Sequence, residues 1–390
     1  MSRSSLKLPE PPAELAALSH SLCNSIVNAI AAEGPIPFSH YMQMALYEPG
    51  LGYYVNGLHK FGQSGDFITA PETGTLFAAA LARTLAPPAE ALGADWTLLE
   101  LGPGSGALAA DLLPELARPP ARYLLLEPSA ALREVQRERL AALPANLRKR
   151  VEWIDRPPEK GFDGAILANE VIDALPVERF RRTADGFDQL CVTTNEGGRF
   201  AWASRPAKGR LLEALQTLET RLGDSLAEGY ESEICVDLPE WMRTVLAPLQ
   251  RGLALFVDYG YPRAEFYHPD RSEGTLVCHY RHRAHFDPFI WPGLTDISAF
   301  VDFSAAAEAA QACDFDLAAF TSQAGLVIGS GVHQRLEQEM DERTRLALTT
   351  QFKRLVLPGE MGEKFKLLAL ARDIEPPSNF QAMPDYRPRL

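Results

Sequence analysis

At 390 residues, with 46% apolar and 23% charged residues, the chain has room for about two or three domains and the composition of an ordinary globular protein. Its net charge of −13 argues against nucleic acid as a main partner, because phosphate binding needs clustered lysine and arginine. The 5 cysteines are scattered and form no C-x-x-C pair, which argues against a structural zinc and a disulfide framework.

Taken in chain order, the start, Met1 to Glu10, lacks the apolar stretch of a signal peptide. A cytoplasmic chain is therefore expected. Residues 12–32 have helical amphipathic spacing, and no apolar run approaches the ~18 residues of a membrane span. Residues 35–74 are rich in glycine, proline and aromatics and read as a long functional loop. An apolar helix over 75–86 leads into Trp96-Thr-Leu-Leu-Glu100-Leu-Gly102-Pro-Gly104-Ser-Gly106. This reads as a buried strand, a glycine turn and then a helix from Ala107. Tyr123 to Glu127 and Val151 to Asp155 read as the next two strands, and Ala165 to Asn169 as the fourth. The basic cluster Arg133 to Arg150 reads as a solvated helix face. Beyond Pro176, residues 178–203 read as short antiparallel strands and 206–228 as a helix. Arg251 to Tyr261 returns to a buried strand ending at Asp258-Tyr-Gly. Residues 262–298 read as loop, Val301 to Phe320 as a helix and Phe365 to Ala371 as a late strand. Four segments follow: an N-terminal helical and loop extension (1–93), half of a nucleotide-binding core (94–177), an α+β insertion (178–250), and the second half of the core (251–390).

The run-ends carry the chemistry. In an open α/β sheet, ligands bind outside the carboxyl ends of the strands. Dinucleotide loops read G-x-G-x-x-G and present a helix N-terminus to a pyrophosphate. Here the pattern is E-L-G-P-G-S-G, with Glu100 two residues before Gly102. A carboxylate there repels a pyrophosphate and suits the ammonium and sulfonium charges of S-adenosylmethionine. Glu127 ends the second strand, where an acid can accept both ribose hydroxyls; the alternative is a helix cap before Pro128. Asp155, at the end of the third, can reach an adenine amino group or serve as a turn residue. The expected fold class is α/β, Rossmann-like, with an N-terminal extension and a substrate-side insertion.

Pro37 to Tyr47, Tyr47-Glu-Pro-Gly-Leu-Gly-Tyr-Tyr54, Gly65-Asp66-Phe-Ile-Thr69-Ala-Pro-Glu72, the glycine loop, Asn169-Glu170-x-x-Asp173-Ala-Leu-Pro-Val177, Val257-Asp258-Tyr-Gly260, and the segment from Gly274 through Asp287-Pro to Val301-Asp302-Phe-Ser occur in that order. Together they resemble the MidA family of S-adenosylmethionine-dependent methyltransferases. The resemblance spans about residues 35 to 372, many times the length of an isolated motif. It implies the class I methyltransferase fold, the cofactor S-adenosylmethionine, and cofactor contacts from Asp66 and Thr69, which otherwise read as plain turn residues. Through the family's mitochondrial member it implies N-methylation of arginine on a protein, a subunit of respiratory complex I. Departures at Thr73-Gly74 and at Asp296-Ile-Ser-Ala fall on the substrate lining.

An arginine acceptor needs carboxylates to orient its guanidinium fork and localise its charge. Glu170, Asp258, Glu231 and Glu233 are the catalytic candidates, with Asn169 beside the cofactor. The plain alternatives are a helix cap for Asn169-Glu170, a turn for Asp258, and an exposed strand face for Glu231 and Glu233, whose alternation puts both on one side. His279, His282 and His285 lack zinc spacing, so no metal is expected. Rival functions are a small-molecule methyltransferase on the same fold, a non-catalytic assembly chaperone and, least supported by the loop spacing, a dehydrogenase.

Overall fold

In the computed structural model, residues 8–58 and 69–390 are described. Asp66 lies outside them. The described residues divide into two compact units: one takes in 8–58, 173–237 and 263–300, the other 69–172, 238–262 and 301–390.

The second unit is built on a mainly parallel sheet. Its principal strands are β1 (Thr97–Leu101), β2 (Arg122–Leu126), β3 (Val151–Ile154), β4 (Phe162–Asn169), β5 (Leu249–Tyr261), β6 (Asp316–Ser322) and β7 (Phe365–Arg372). They lie in the order β3-β2-β1-β4-β5-β7-β6, and β7 runs antiparallel to both neighbours. All five residues of β1 are buried, which is why it reads as an unbroken apolar run rather than an alternating one. Alternate residues Leu98, Leu125, Leu167 and Leu255 pack one face into a core shared with helices α1 (Thr75–Leu92) and α2 (Ala107–Glu115). Strand order reverses between β1 and β4, so the carboxyl ends there open the crevice that α/β sheets use for ligands. A third helix, α3 (Ala130–Leu140), follows β2.

The other unit holds the helices Ala13–Glu33 and Phe38–Tyr47, a five-stranded antiparallel sheet and a three-stranded one. Leu22, Ile26, Phe38, Tyr41, Val192 and Ile297 form its core. The three histidines lie on one hairpin, His279 and His285 on its strands Val277–Tyr280 and Arg283–His285 and His282 in its two-residue turn.

Several expectations need correction. Residues 35–74 contain the helix Phe38–Tyr47, whose buried Phe38, Tyr41, Met42 and Ala45 keep helical spacing among the aromatics. The stretch 301–320 is a short strand, a helix (Phe303–Gln311) and then β6; the chain reverses at Asp314, where φ is 60°. The helix over 75–92 belongs with the sheet, not with an N-terminal extension, because its apolar face fills the sheet's core. The inserted unit takes 173–237 together with 263–300, while 238–262 returns to the sheet. Residues 262–298 are therefore not simple loop. By length and composition alone, helix Ala13–Glu33 also passes for a membrane-crossing helix, as core helices of globular proteins do. Polar residues every few positions hid this from a search for unbroken runs. Its Leu22, Ile26 and Ile30 stripe is buried in the core of its unit.

Candidate active site

The loop after β1 is shaped by its glycines. Gly102, Gly104 and Gly106 have φ of 58°, 55° and 79°, a left-handed backbone that residues bearing a Cβ enter only with strain. The space is closed as well. A Cβ on Gly102 would sit 3.1 Å from Val171 Cγ2, and one on Gly106 would sit 3.3 Å from Gln136 Cγ. The loop therefore packs against the turn after β4 on one side and against α3 on the other.

Glu100 is 3% exposed and accepts the Tyr123 hydroxyl at 2.7 Å. Burial pushes its carboxyl up to about 7, with the tyrosine bond acting against the shift. The acid that sequence spacing assigned to the cofactor is thus held inside the unit by a partner on β2. Glu127, at the end of β2, is 5% exposed. Its Oε1 accepts the Ser129 N–H at 2.8 Å and its Oε2 accepts Gln136 Nε2 at 3.3 Å. Ser129, not Glu127, caps α3. Asp155 lies exposed just beyond β3, whose Ile154 carbonyl accepts the Glu127 N–H at 3.0 Å. Thr69 is the residue before the short turn Ala70–Thr73 and makes no side-chain cap bond there.

Two features of this loop went unread in the sequence. Glu72 accepts Arg139 Nη1 at 2.8 Å and also the Ser105 hydroxyl, so the 69–72 segment is tied to the glycine loop. Helix α3 meanwhile sends a stripe of side chains to the site. Arg133 donates to the Glu127 carbonyl at 2.6 Å, Gln136 to the Gly104 carbonyl at 2.8 Å, and Arg139 to the Ser105 hydroxyl at 2.5 Å. Part of the basic stretch taken for a solvated face is therefore loop-holding. The spacing i, i+3, i+6 after a strand-end acid was the available signal.

The turn after β4 carries the acceptor-side candidates. Glu170 is a non-glycine residue at φ 55°. Such a conformation costs about 1–2 kcal/mol and persists only where surroundings impose it. Here they do. The Glu170 N–H donates to the Val257 carbonyl at 2.9 Å, and the next two N–H groups, of Val171 and Ile172, donate to Asp258 Oδ2 at 3.2 and 2.9 Å. Asp258 is thereby corrected from a candidate facing a guanidinium to a buried clamp on this turn, with its other oxygen accepting the Tyr259 N–H. Asn169 Nδ2 donates to Glu170 Oε1 at 3.0 Å, and Asn169 Oδ1 is buried with no hydrogen-bond partner among the described residues.

Glu231 and Glu233 do share a face and do clamp a guanidinium, but it is the chain's own Arg179. Glu233 lies 3.0 Å and Glu231 3.5 Å from it, and Arg181 also pairs with Glu231. Glu233 is 1% exposed and also accepts the Thr275 N–H at 2.7 Å. Four arginine and glutamate side chains on adjacent strands neutralise one another. Strand alternation could show that the two acids point the same way, but not what stood opposite them.

The strand order, the reversed seventh strand and a glycine loop flanked by acids rather than by an anion-binding cradle define a class I S-adenosylmethionine-dependent methyltransferase. The three positive-φ glycines and the buried Glu127 and Asn169 oxygens, all on ends of β1, β2 and β4, fit that cofactor. The family model "Putative S-adenosyl-L-methionine-dependent methyltransferase" matches residues 80–321, and the chain belongs to this family. A crystal structure from Burkholderia thailandensis bound to S-adenosyl-homocysteine is 40% identical, covers 98% of this chain and 100% of that chain, and superposes with a TM-score of 0.92. The protein named "Protein arginine methyltransferase NDUFAF7, mitochondrial" is similar in Danio rerio, at 28% identity over 90% of this chain and 87% of its own length. Its Homo sapiens counterpart is 29% identical over 87% and 81%.

Proposed function

We propose that the protein transfers the methyl group of S-adenosylmethionine to an arginine side chain of a protein, in the cytoplasm, with a respiratory complex I subunit as the acceptor named by the family resemblance. The observation that carries this reading is Glu170. It is a carboxylate on a strained backbone at the end of β4, oriented by Asn169 and held by Asp258, on a turn packed against Gly102. The names of the mitochondrial relatives support the acceptor class.

The bound cofactor supplies an electrophilic methyl on a sulfonium. In the transfer, the carbon–sulfur bond would break with its electron pair left on the thioether sulfur, a carbon–nitrogen bond would form, and the nitrogen would release one proton to solvent, so positioning dominates the barrier. Glu170 would accept guanidinium N–H groups and draw the positive charge away from the reacting nitrogen. Asn169 would lock the carboxylate rotamer, and its buried Oδ1 would accept one N–H of the cofactor or of the acceptor. Glu127 and Asp155 would hold the ribose and the adenine amino group. Thr69 would add the cofactor contact that the family resemblance implies.

The test combines labelled cofactor with a lysate from cells lacking the protein, followed by mass spectrometry of the labelled species. Labelled arginine in a protein is expected. Glu170→Gln should bind the cofactor normally and transfer methyl about 10²-fold more slowly, the scale of losing one preorganised electrostatic contact. Label appearing in a small molecule, or normal turnover by Glu170→Gln, sinks the arginine reading.

A further inference from the structure

We propose that Gln136 is the positioning residue of the cofactor site, locking the acid at the end of β2 to the glycine loop after β1. Gln136 is fully buried on α3. Its Nε2 donates both to the Gly104 carbonyl, at 2.8 Å, and to Glu127 Oε2, at 3.3 Å. Its Oε1 accepts the indole N–H of Trp153, on β3, at 2.9 Å. That third bond orients the amide: with oxygen and nitrogen exchanged, the indole N–H would face an amide donor, and two acceptors would face an amide oxygen. One side chain thus joins the loop after β1, the acid after β2 and the strand β3. The fit is tight, since a Cβ on Gly106 would lie 3.3 Å from Gln136 Cγ.

Nothing but a neutral amide satisfies all three neighbours. An apolar side chain of similar volume leaves a carbonyl and an indole N–H without their bonds. A carboxylate at the same place faces Glu127 and the Gly104 carbonyl, three acceptors with no proton among them. The charged groups nearby are Arg133 at the Glu127 carbonyl, Arg139 and Glu72 at Ser105, and Arg137 over the Trp153 ring. None of these bonds supplies a proton to the space between Gln136 and Glu127. Gln136 therefore acts on the cofactor through Glu127 and the loop, and the inference rests on Glu127 touching the cofactor.

This dependence gives a test that a merely space-filling role would not pass. In Gln136→Glu the protonated carboxyl has one proton to donate where Nε2 had two, enough to join it to Glu127, and the ionised one has none. Calorimetry would measure S-adenosylhomocysteine affinity for Gln136→Glu, Gln136→Met and Glu127→Gln, each as a ratio to wild type at the same pH. At about pH 8.5, Gln136→Glu is expected to bind about tenfold more weakly, the size of one lost hydrogen bond to a charged group, and to recover toward wild type at about pH 5.5. Gln136→Met should stay weak at both. A ratio for Gln136→Glu that does not change with pH overturns the proposal. Unchanged affinity in Glu127→Gln overturns the contact on which it rests. If the Gln136 variants do not fold, Trp153→Phe leaves Gln136 in place and removes the donor that sets its amide, together with one ring of the indole. Severalfold weaker binding supports the proposal, and unchanged binding overturns it.

Discussion

Glu100 shows how one buried group can set a pH dependence for the whole unit. Desolvation raises its carboxyl from 4.5 to about 7, so the native state keeps a proton that the unfolded chain releases above about pH 4.5. Native protein then binds more protons than unfolded protein across that window, and stability falls as pH rises through it. The loss amounts to about 3 kcal/mol and is complete a little above pH 7. Urea unfolding without ligand should show this contribution in wild type, and in Glu100→Gln the fall in stability over the same range should be smaller by about that amount. Equal slopes in the two proteins would remove Glu100 as its source. The position of this acid before Gly102 was legible in the sequence. Its partner Tyr123, on the neighbouring strand and bonded at 2.7 Å, was not, because sequence spacing carries no information about which strand lies alongside.

At the scale of elements, the glycine loop and α3 form one working piece. Gly106 combines φ 79° with contact against Gln136, so Gly106→Ala meets both strain and a clash. A loss of about 1–3 kcal/mol in stability is expected, with weaker cofactor binding alongside. Thermal unfolding and calorimetry on the same preparation would check it, and an alanine variant as stable as wild type would show that the loop can shift. The strand, turn and helix succession around Gly102 was readable from the glycine pattern and the apolar run. The turn at Glu170 was less so. Asn169-Glu170 has a helix cap as its plain alternative, and only the φ of 55°, with Asp258 accepting from Val171 and Ile172, separates a strained, clamped carboxylate from an ordinary first-turn acid.

At the scale of the whole molecule, the candidate residues Asn169 and Glu170 belong to the sheet unit, and the other unit has its own internal electrostatics. Arg179 is 10% exposed along its side chain and faces Glu233, which is 1% exposed. Arg179→Leu should cost about 3–5 kcal/mol, because it strands a buried carboxylate, whereas Arg179→Met with Glu233→Met should restore most of that. Equilibrium unfolding would measure both, and cofactor affinity should be unchanged in each. A single variant as stable as wild type would mean that Glu233 is reached by water. This contrast marks what sequence alone determined. The parallel sheet, the glycine loop, its cofactor and the strand-end acids were all legible, because each is a local pattern of run, turn and acid within a few residues. The partners were decided by tertiary structure. Glu231 and Glu233 alternate like a clamp for an outside arginine, and the fold sets Arg179 opposite them. Arg133 and Arg139 read as solvated charge, and helix packing turns them onto the loop. The physical reason is the same in each case: periodicity gives a side chain its direction, and only the chain brought beside it, often tens of residues away, supplies what it meets.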